Sequence, residues 1–280
     1  MRSLLFVPAH VERYVAKAPF VGADAVILDL EDSVPEEKKG EARRALGEAV
    51  KHVRSNSDVR VMVRVNSVGT DHFRDDVVAA LEAGCEVIVL PKCNDAYSVV
   101  SLRKVVEPCK AEVKVMVLIE SAKALLNVAE IASSWSSITG LAFGEYDFAL
   151  SMGTIYPSRD LIRVARALVA IAAKAHGQLA IDTPYARVSD LEGLRTESIE
   201  ARAFGFDGKL AIHPDQVPVI NEAFSPTREE IEWARRVVSA LEAARSEGRS
   251  STMLDGSMVD EVHYRLARMV LGKQTITGRP

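Results

Sequence analysis

The chain has 280 residues, with 48% hydrophobic and 26% charged, a length and composition that suit one large α/β domain or two small ones. A net charge of −4 argues against backbone-driven nucleic-acid binding, and no apolar run is long enough to span a bilayer. The opening apolar run breaks at Pro8, too short for a signal peptide, and three cysteines without a C-x-x-C pair read as small core or near-core residues in a reducing cytoplasm.

Short β-favouring runs then recur along the chain. They are SLLFVPA (3–9), AVILDLE (25–31), VRVMVRVN (59–66), EVIVLPK (86–92), VKVMVLIE (113–120), ITGLAFG (138–144), QLAIDTPY (178–185) and GKLAIHP (208–214). Most are continuous rather than alternating, the pattern of strands covered on both faces. Between them, segments such as 36–53 and 159–177 repeat apolar residues at three and four, and Gly177 closes the second as a helix C-cap. Strands and helices in this alternation predict an α/β fold, a closed (β/α)₈ TIM barrel, over residues 1–222. The rival, an open doubly wound sheet, would place a G-x-G-x-x-G after an early strand, and none is present. Residues 223–280 read as a C-terminal helical extension packing on the barrel or on a neighbouring subunit. Pro226 leads into a long amphipathic helix, RSSTMLDGS (249–257) reads as a flexible loop, and 258–272 as a last helix.

In such a barrel the C-terminal strand ends carry the chemistry. Here they supply Asp29, Glu31 and Asp32; Arg64 and Asn66; Lys92; Glu120; Glu145 and Asp147; Asp182; and Lys209 and His213. Glu120 ends an almost uninterrupted apolar run, and Asp147 follows strand six, where Gly144 is expected to permit a tight turn. On neighbouring strands these two carboxylates suit Mg²⁺, which keeps several waters and needs few protein ligands. The six histidines are scattered, with no H-E-x-x-H, so zinc fits less well. Arg64 offers a fork of donors to a substrate carboxylate or a developing oxyanion; a salt bridge to Asp29 or Glu31 is the plainer alternative, and both can hold together. Glu31 and Asp32 are then supporting acids that orient water on the cation or hold Arg64, while Asp29 is structural. The acids and lysines of PEEKK (35–39) read as the solvated first turn of a helix. Lys209 lies toward the start of its strand, away from direct chemistry, and His213 is as readily a structural hydrogen-bonding residue as a catalytic one.

The stretches RSLLFVPA, DAVILDLEDSVPEEKK, VMVRVNS, VIVLPK, VLIES, LAFGEYDFALSMG, AIDTPY, DLEGLRTE, GFDGKLAIHPDQ and LDGSMVDEVHYRLARMVL follow one another in order across residues 2–271. Together they resemble the citrate lyase beta-subunit-like family of the HpcH/HpaI aldolase superfamily, with its malyl-CoA and citramalyl-CoA lyase relatives. The resemblance implies a (β/α)₈ barrel that binds Mg²⁺ through Glu120 and Asp147 and uses Arg64 to bind substrate and stabilise an oxyanion. It also implies that Asp260 handles the proton at the acetyl carbon, often from a neighbouring subunit's tail; judged by position alone, Asp260 is an N-cap or first-turn acid of the last helix. A tail closed over Asp260 would bury it and raise its basicity.

The implied activity is that of a carbon–carbon lyase. A 3-hydroxy-3-carboxyacyl thioester such as malyl-CoA, citramalyl-CoA or citryl-CoA would yield a 2-oxo acid and acetyl-CoA. The implied partners are an acyl-CoA thioester, a small 2-oxo acid, copies of the chain in a homo-oligomer (trimer or hexamer) and, in a citrate lyase complex, an acyl-carrier subunit; neither nucleic acid nor membrane is expected. The alternatives are a divalent-metal aldolase acting on free 4-hydroxy-2-oxo acids, which would not need Asp260, and a malyl-CoA thioester hydrolase. Two positions depart from the family pattern: Pro8-Ala9 stands where Pro-Gly is usual, and VDEVHYR lacks the Pro that commonly follows the acid.

Overall fold

Val-, Ile- and Leu-rich runs need cover on both faces, and the eight runs obtain it by pairing into one parallel sheet. The strands are β1 (Ser3–Pro8), β2 (Ala25–Asp29), β3 (Arg60–Arg64), β4 (Val87–Leu90), β5 (Lys114–Ile119), β6 (Ile138–Phe143), β7 (Leu179–Asp182) and β8 (Gly208–Ala211). Each pairs with the next in sequence, and β1 pairs with β8 to close a TIM barrel. The computed structural model describes residues 1–277, and these strands lie in a first unit, Met1–Asn221. The strands are shorter than the apolar runs because the last residues of each run leave the sheet to form the loops of the barrel mouth.

Helices alternate with the strands: α1 (Glu12–Lys17), α2 (Lys39–Asn56), α3 (Phe73–Glu82), α4 (Ala96–Val106), α5 (Ala122–Leu126) and α6 (Val128–Ser133). After β6 come α7 (Glu145–Ser151) and α8 (Arg159–Ala175), after β7 comes α9 (Leu191–Ala203), and after β8 comes α10 (Gln216–Ala223). Beyond α8, Gly177 takes a φ of 66° and Gln178 N–H donates to Ala173 O at 2.8 Å, so the expected glycine stop is present. Among the described residues no helix is long and apolar enough to cross a membrane.

Residue parity decides which side chains meet inside. Leu4, Ala25, Ile27, Met62, Val87, Val89, Met116, Leu118, Ala142, Ile181 and Leu210, drawn from every barrel strand, form one buried cluster in the interior. Positions two residues farther along four of these strands are Asp29, Arg64, Glu120 and Gly144, so they share that face at its C-terminal end. Asp182 and Lys209 sit one residue from an interior position and therefore point outward, to the helices. Lys209 is fully buried between Asp182 (2.5 Å) and Glu197 of α9 (2.6 Å). Arg166 of α8 grips Asp182 through Nε and Nη2, both at 2.9 Å, and reaches Glu200 at 3.0 Å. Asp182, expected among the strand-end acids of the mouth, and Lys209, expected away from direct chemistry, both belong to a buried ion network on the barrel's outer side. Of the cysteines, Cys85 and Cys93 are buried as expected, but Cys109 is exposed, and all three are free.

The second unit begins at Glu222 and contains α11 (Arg228–Ser246), β9 (Thr252–Leu254), β10 (Ser257–Val259) and α12 (Glu261–Thr277). Thr227 and Glu230 form a reciprocal capping box at the start of α11. Ala234, Val237, Leu241, Val259 and Ala267 make this unit's own core. Segment 249–257, expected to be a flexible loop, carries most of a β-hairpin instead. Asp255 and Gly256 take φ of 50° and 79°, as a two-residue Asp-Gly turn requires, and Met258 pairs with Met253 across it.

Candidate active site

Arg64 is the most heavily tethered side chain at the mouth. Its Nε and Nη2 donate to the two oxygens of Asp29, both at 2.6 Å, while Nη1 faces Glu31 (3.1 Å) and Asp32 (3.4 Å). The ring of Phe6 lies 4.5 Å from the guanidinium carbon. Asp29 is fully buried; burial alone would raise its pKa, yet Arg64, Ser33 and the Glu31 N–H together hold it below the usual carboxylate value. The salt bridge expected as the plainer role of Arg64 is therefore present, and Asp29 is structural in that it aims the guanidinium.

Glu120 lies just past β5 and is 6% exposed. One of its oxygens accepts from the backbone N–H of Lys92. Burial, together with the charges of Glu31 and Asp147, pushes its pKa up to about 8 against the pull of the Lys92 N–H and Arg64. Asp147 sits in the first turn of α7, whose Glu145 N–H donates to Thr183 Oγ1 at 3.0 Å. Glu120, Asp147 and Arg64 line one pocket of about 80 Å³, floored by Leu118 and Leu210 and walled by Phe6 and Pro184. Of the larger hollows, one of about 370 Å³ between β1 and α1 has no carboxylate on its walls, and one of about 600 Å³ between α1 and α2 carries Glu12, Glu41 and Glu48 but no arginine.

Gly144 is needed for a reason other than the one expected. Its φ of −115° and ψ of 92° are open to any residue, but a Cβ there would lie 2.7 Å from Glu120 Cβ and 2.8 Å from Glu120 Oε2. Gly144→Ala should therefore push the Glu120 carboxylate aside and lower kcat/KM by roughly 10²-fold, as a misplacement of about 1 Å can. Steady-state kinetics checks this, and an unchanged kcat/KM would show that Glu120 need not stay where it is.

Glu31 is buried, and its two oxygens pair with Arg64 (3.1 Å) and Lys92 (2.7 Å). Burial and the neighbouring Asp32 raise its pKa to about 7 despite both cations. Lys92 completes the group, 2.9 Å from Asp32. Sequence reasoning counted Lys92 only as a strand-end base, and nothing in the sequence marks its φ of 49°. It also placed PEEKK wholly in solvent. Lys39 is instead buried, donating to Leu30 O (3.2 Å), Glu31 O (3.0 Å) and Asn66 Oδ1 (2.7 Å), so the ammonium anchors the loop that carries Glu31.

Asp260 lies in the second unit, between β10 and α12. It caps α12: its Oδ1 accepts from Val262 N–H at 3.0 Å and pairs with His263 Nδ1 at 2.8 Å. Its side chain is 39% exposed, and the His263 contact draws its pKa below the usual value, opposite to the raised basicity expected of a buried acid. His213 is also partly exposed and accepts from Asp215 N–H at 3.2 Å, a local structural bond.

Glu120 and Asp147, lining the same pocket, are hard oxygen donors that could hold a divalent cation, with water or ligand filling the remaining positions. Among the described residues no group of three or more His, Cys, Asp or Glu is arranged to hold a metal by itself. Fork, carboxylate pair and apolar floor suit an oxygen-rich small acid whose charge grows during reaction.

The profile described as HpcH/HpaI aldolase/citrate lyase matches residues 2–214. A (3S)-malyl-CoA thioesterase of Cereibacter sphaeroides is 36% identical over 273 residues, covering 97% of this chain and 94% of that protein. Citrate lyase subunit beta of Escherichia coli is 33% identical over 285 residues, covering 99% and 94%. The crystal structure of CitE from Mycobacterium tuberculosis in complex with magnesium, acetoacetate and coenzyme A superposes with a TM-score of 0.82 at 34% identity, covering 98% of both chains. The mouth just described thus sits in a chain that belongs to the HpcH/HpaI aldolase/citrate lyase family.

Proposed function

We propose that this protein is a Mg²⁺-dependent carbon–carbon lyase. It cleaves, and in reverse forms, a 3-hydroxy-3-carboxyacyl thioester such as malyl-CoA, citramalyl-CoA or citryl-CoA, giving a 2-oxo acid and acetyl-CoA. The convergence of Arg64, Glu120 and Asp147 on one pocket at the mouth of a barrel of this family carries the proposal. The donor set fits magnesium. Glu120 is buried against the charges of Glu31 and Asp147, a repulsion that a divalent cation offsets, and Glu31 keeps acceptor capacity for water beside it.

When bound, Mg²⁺ would supply Lewis-acid polarisation of the substrate's hydroxyl and carboxylate oxygens. Arg64, held in one orientation by Asp29, binds the substrate carboxylate or the oxygen that passes between hydroxyl and carbonyl, stabilising the charge that oxygen carries as an alkoxide. Glu31 and Asp32 brace that guanidinium from its other side. In condensation Asp260, as a carboxylate, takes a proton from the acetyl carbon and the new hydroxyl oxygen takes one from water; in cleavage the hydroxyl proton leaves to water and Asp260 gives its proton to the enolate carbon, as microscopic reversibility requires. The cleft of about 370 Å³ shares Phe6 with the site and carries Lys17 and His213 on its walls, offering room for a carrier, either free CoA or an acyl-carrier subunit.

The active form is a homo-oligomer, a trimer or hexamer, consistent with the exposed apolar stripe Val164, Leu168 and Ile171 along α8 and with exposed Leu150, Ile155 and Tyr156 before it. The cytoplasm is the compartment that three free cysteines suit.

A second activity, hydrolysis of malyl-CoA to malate and CoA, is favoured by the identity to malyl-CoA thioesterase. One panel separates the possibilities: malyl-CoA, citramalyl-CoA, citryl-CoA and a CoA-free 4-hydroxy-2-oxo acid, each with and without Mg²⁺. Release of a 2-oxo acid together with acetyl-CoA, only when Mg²⁺ is present, is the expected result. Free CoA without a 2-oxo acid would replace the lyase by the hydrolase. Turnover of the CoA-free acid alone would replace it by the aldolase.

A further inference from the structure

Three features of Lys92 serve the same place. It is a non-glycine residue with a φ of 49°, in the left-handed region that disfavours a side chain. In that conformation its backbone N–H donates to Glu120 Oε1. Its ammonium reaches past β3 to Glu31 Oε1 at 2.7 Å and Asp32 Oδ1 at 2.9 Å. The other oxygens of those carboxylates face Arg64 Nη1, Glu31 Oε2 at 3.1 Å and Asp32 Oδ2 at 3.4 Å. Lys92, Glu31, Arg64 and Asp32 thus form a closed ring of alternating charge at the ends of β2, β3 and β4, and the Lys92 backbone extends it to Glu120 beyond β5.

We propose that Lys92 is the positioning residue for both halves of the site: its left-handed backbone aims an N–H at Glu120, and its ammonium closes the ring that holds Arg64. The turn alone would favour Gly or Asn. A lysine is explained by the ion pairs that only its side chain makes, and strain held in place by surrounding contacts is characteristic of functional sites. Four strand ends are tied together by one residue, so its loss should disturb the cation site and the guanidinium by separable routes.

Lys92→Gly and Lys92→Ala separate these routes. Glycine keeps the left-handed turn and its N–H while losing the ammonium; alanine loses the ammonium and is free to leave the turn. Hydrogen exchange followed by NMR, with no metal added, should show the amide at position 92 exchanging roughly tenfold faster in Lys92→Ala than in wild type or Lys92→Gly. Titration calorimetry should show Mg²⁺ binding weakened by roughly 10- to 100-fold in Lys92→Ala and by much less in Lys92→Gly. Both variants should lose roughly 10- to 100-fold in kcat/KM for thioester cleavage, and Lys92→Arg should recover part of it. Equal amide exchange in the two variants, or a Lys92→Gly enzyme with wild-type kcat/KM, would overturn the proposal. The calorimetric arm rests on Glu120 being a Mg²⁺ ligand. If wild type gives no Mg²⁺ heat while amide exchange follows the expected order, the metal assignment falls and the clamp stands.

Discussion

Replacing Asp260 by Asn is expected to slow thioester cleavage by about 10³-fold, within the range of a lost general acid–base group, and to leave the fold and the Mg²⁺ titration unchanged. The structure makes this substitution unusually clean. Asp260 caps α12 by accepting the Val262 N–H at 3.0 Å. Asn caps a helix about as well as Asp, so the carbonyl oxygen takes over that bond while the ability to exchange a proton is lost. The thermal midpoint, the rate of 2-oxo acid release and the calorimetric Mg²⁺ titration read fold, chemistry and metal site separately. Turnover within about tenfold of wild type would remove Asp260 from the mechanism. Glu120→Ala should behave in the opposite order, with Mg²⁺ affinity lost first, and an unchanged titration would move the metal away from Glu120.

Asp182→Ala is expected to cost about 3–5 kcal/mol of stability, the range for a buried ion pair deprived of one partner. Asp182 and Lys209 are fully buried and Arg166 is 2% exposed, and both cations converge on this one carboxylate. Without it Lys209 keeps Glu197, and Arg166 keeps Glu200 and the Glu197 carbonyl, each a weaker share of a charge still held away from water. The loss should reach the site as well: Thr183, next along the chain, accepts the Glu145 N–H that starts α7, and α7 carries Asp147. Urea unfolding with the midpoint converted to free energy is the measurement. A loss below about 1 kcal/mol would mean that water enters and solvates the two cations.

Much of the fold was legible because it follows from local pattern. Continuous apolar runs spaced by amphipathic helices leave few arrangements other than a closed parallel barrel, and Gly177 marks a helix end by local chemistry. The Asp-Gly turn at 255–256 was equally local, but its Ser-rich flank read as a flexible loop, so the hairpin was missed.

The candidate site divides along the same line. That acids and bases gather at strand ends is written in the sequence, and the position of Glu120 after an apolar run and of Arg64 at the end of β3 could be read there. Which of them share a pocket could not, because that depends on side-chain parity around a closed barrel. One residue of register places Glu120 and Arg64 inside the mouth and Asp182 and Lys209 on its outer side. The need for Gly144 comes from the 2.7 Å between a Cβ there and Glu120, a distance between two strands. The burial of Lys39 and the left-handed Lys92 likewise arise from contacts 8 to 61 positions away in the chain, counting from Lys39 to Glu31 and from Lys92 to Glu31. The sequence by itself determined the barrel and the supply of charged groups at its rim, since periodicity and strand ends are short-range properties. Only the tertiary structure decided which charges meet, because burial, parity and close approach are properties of the closed sheet and not of any one strand.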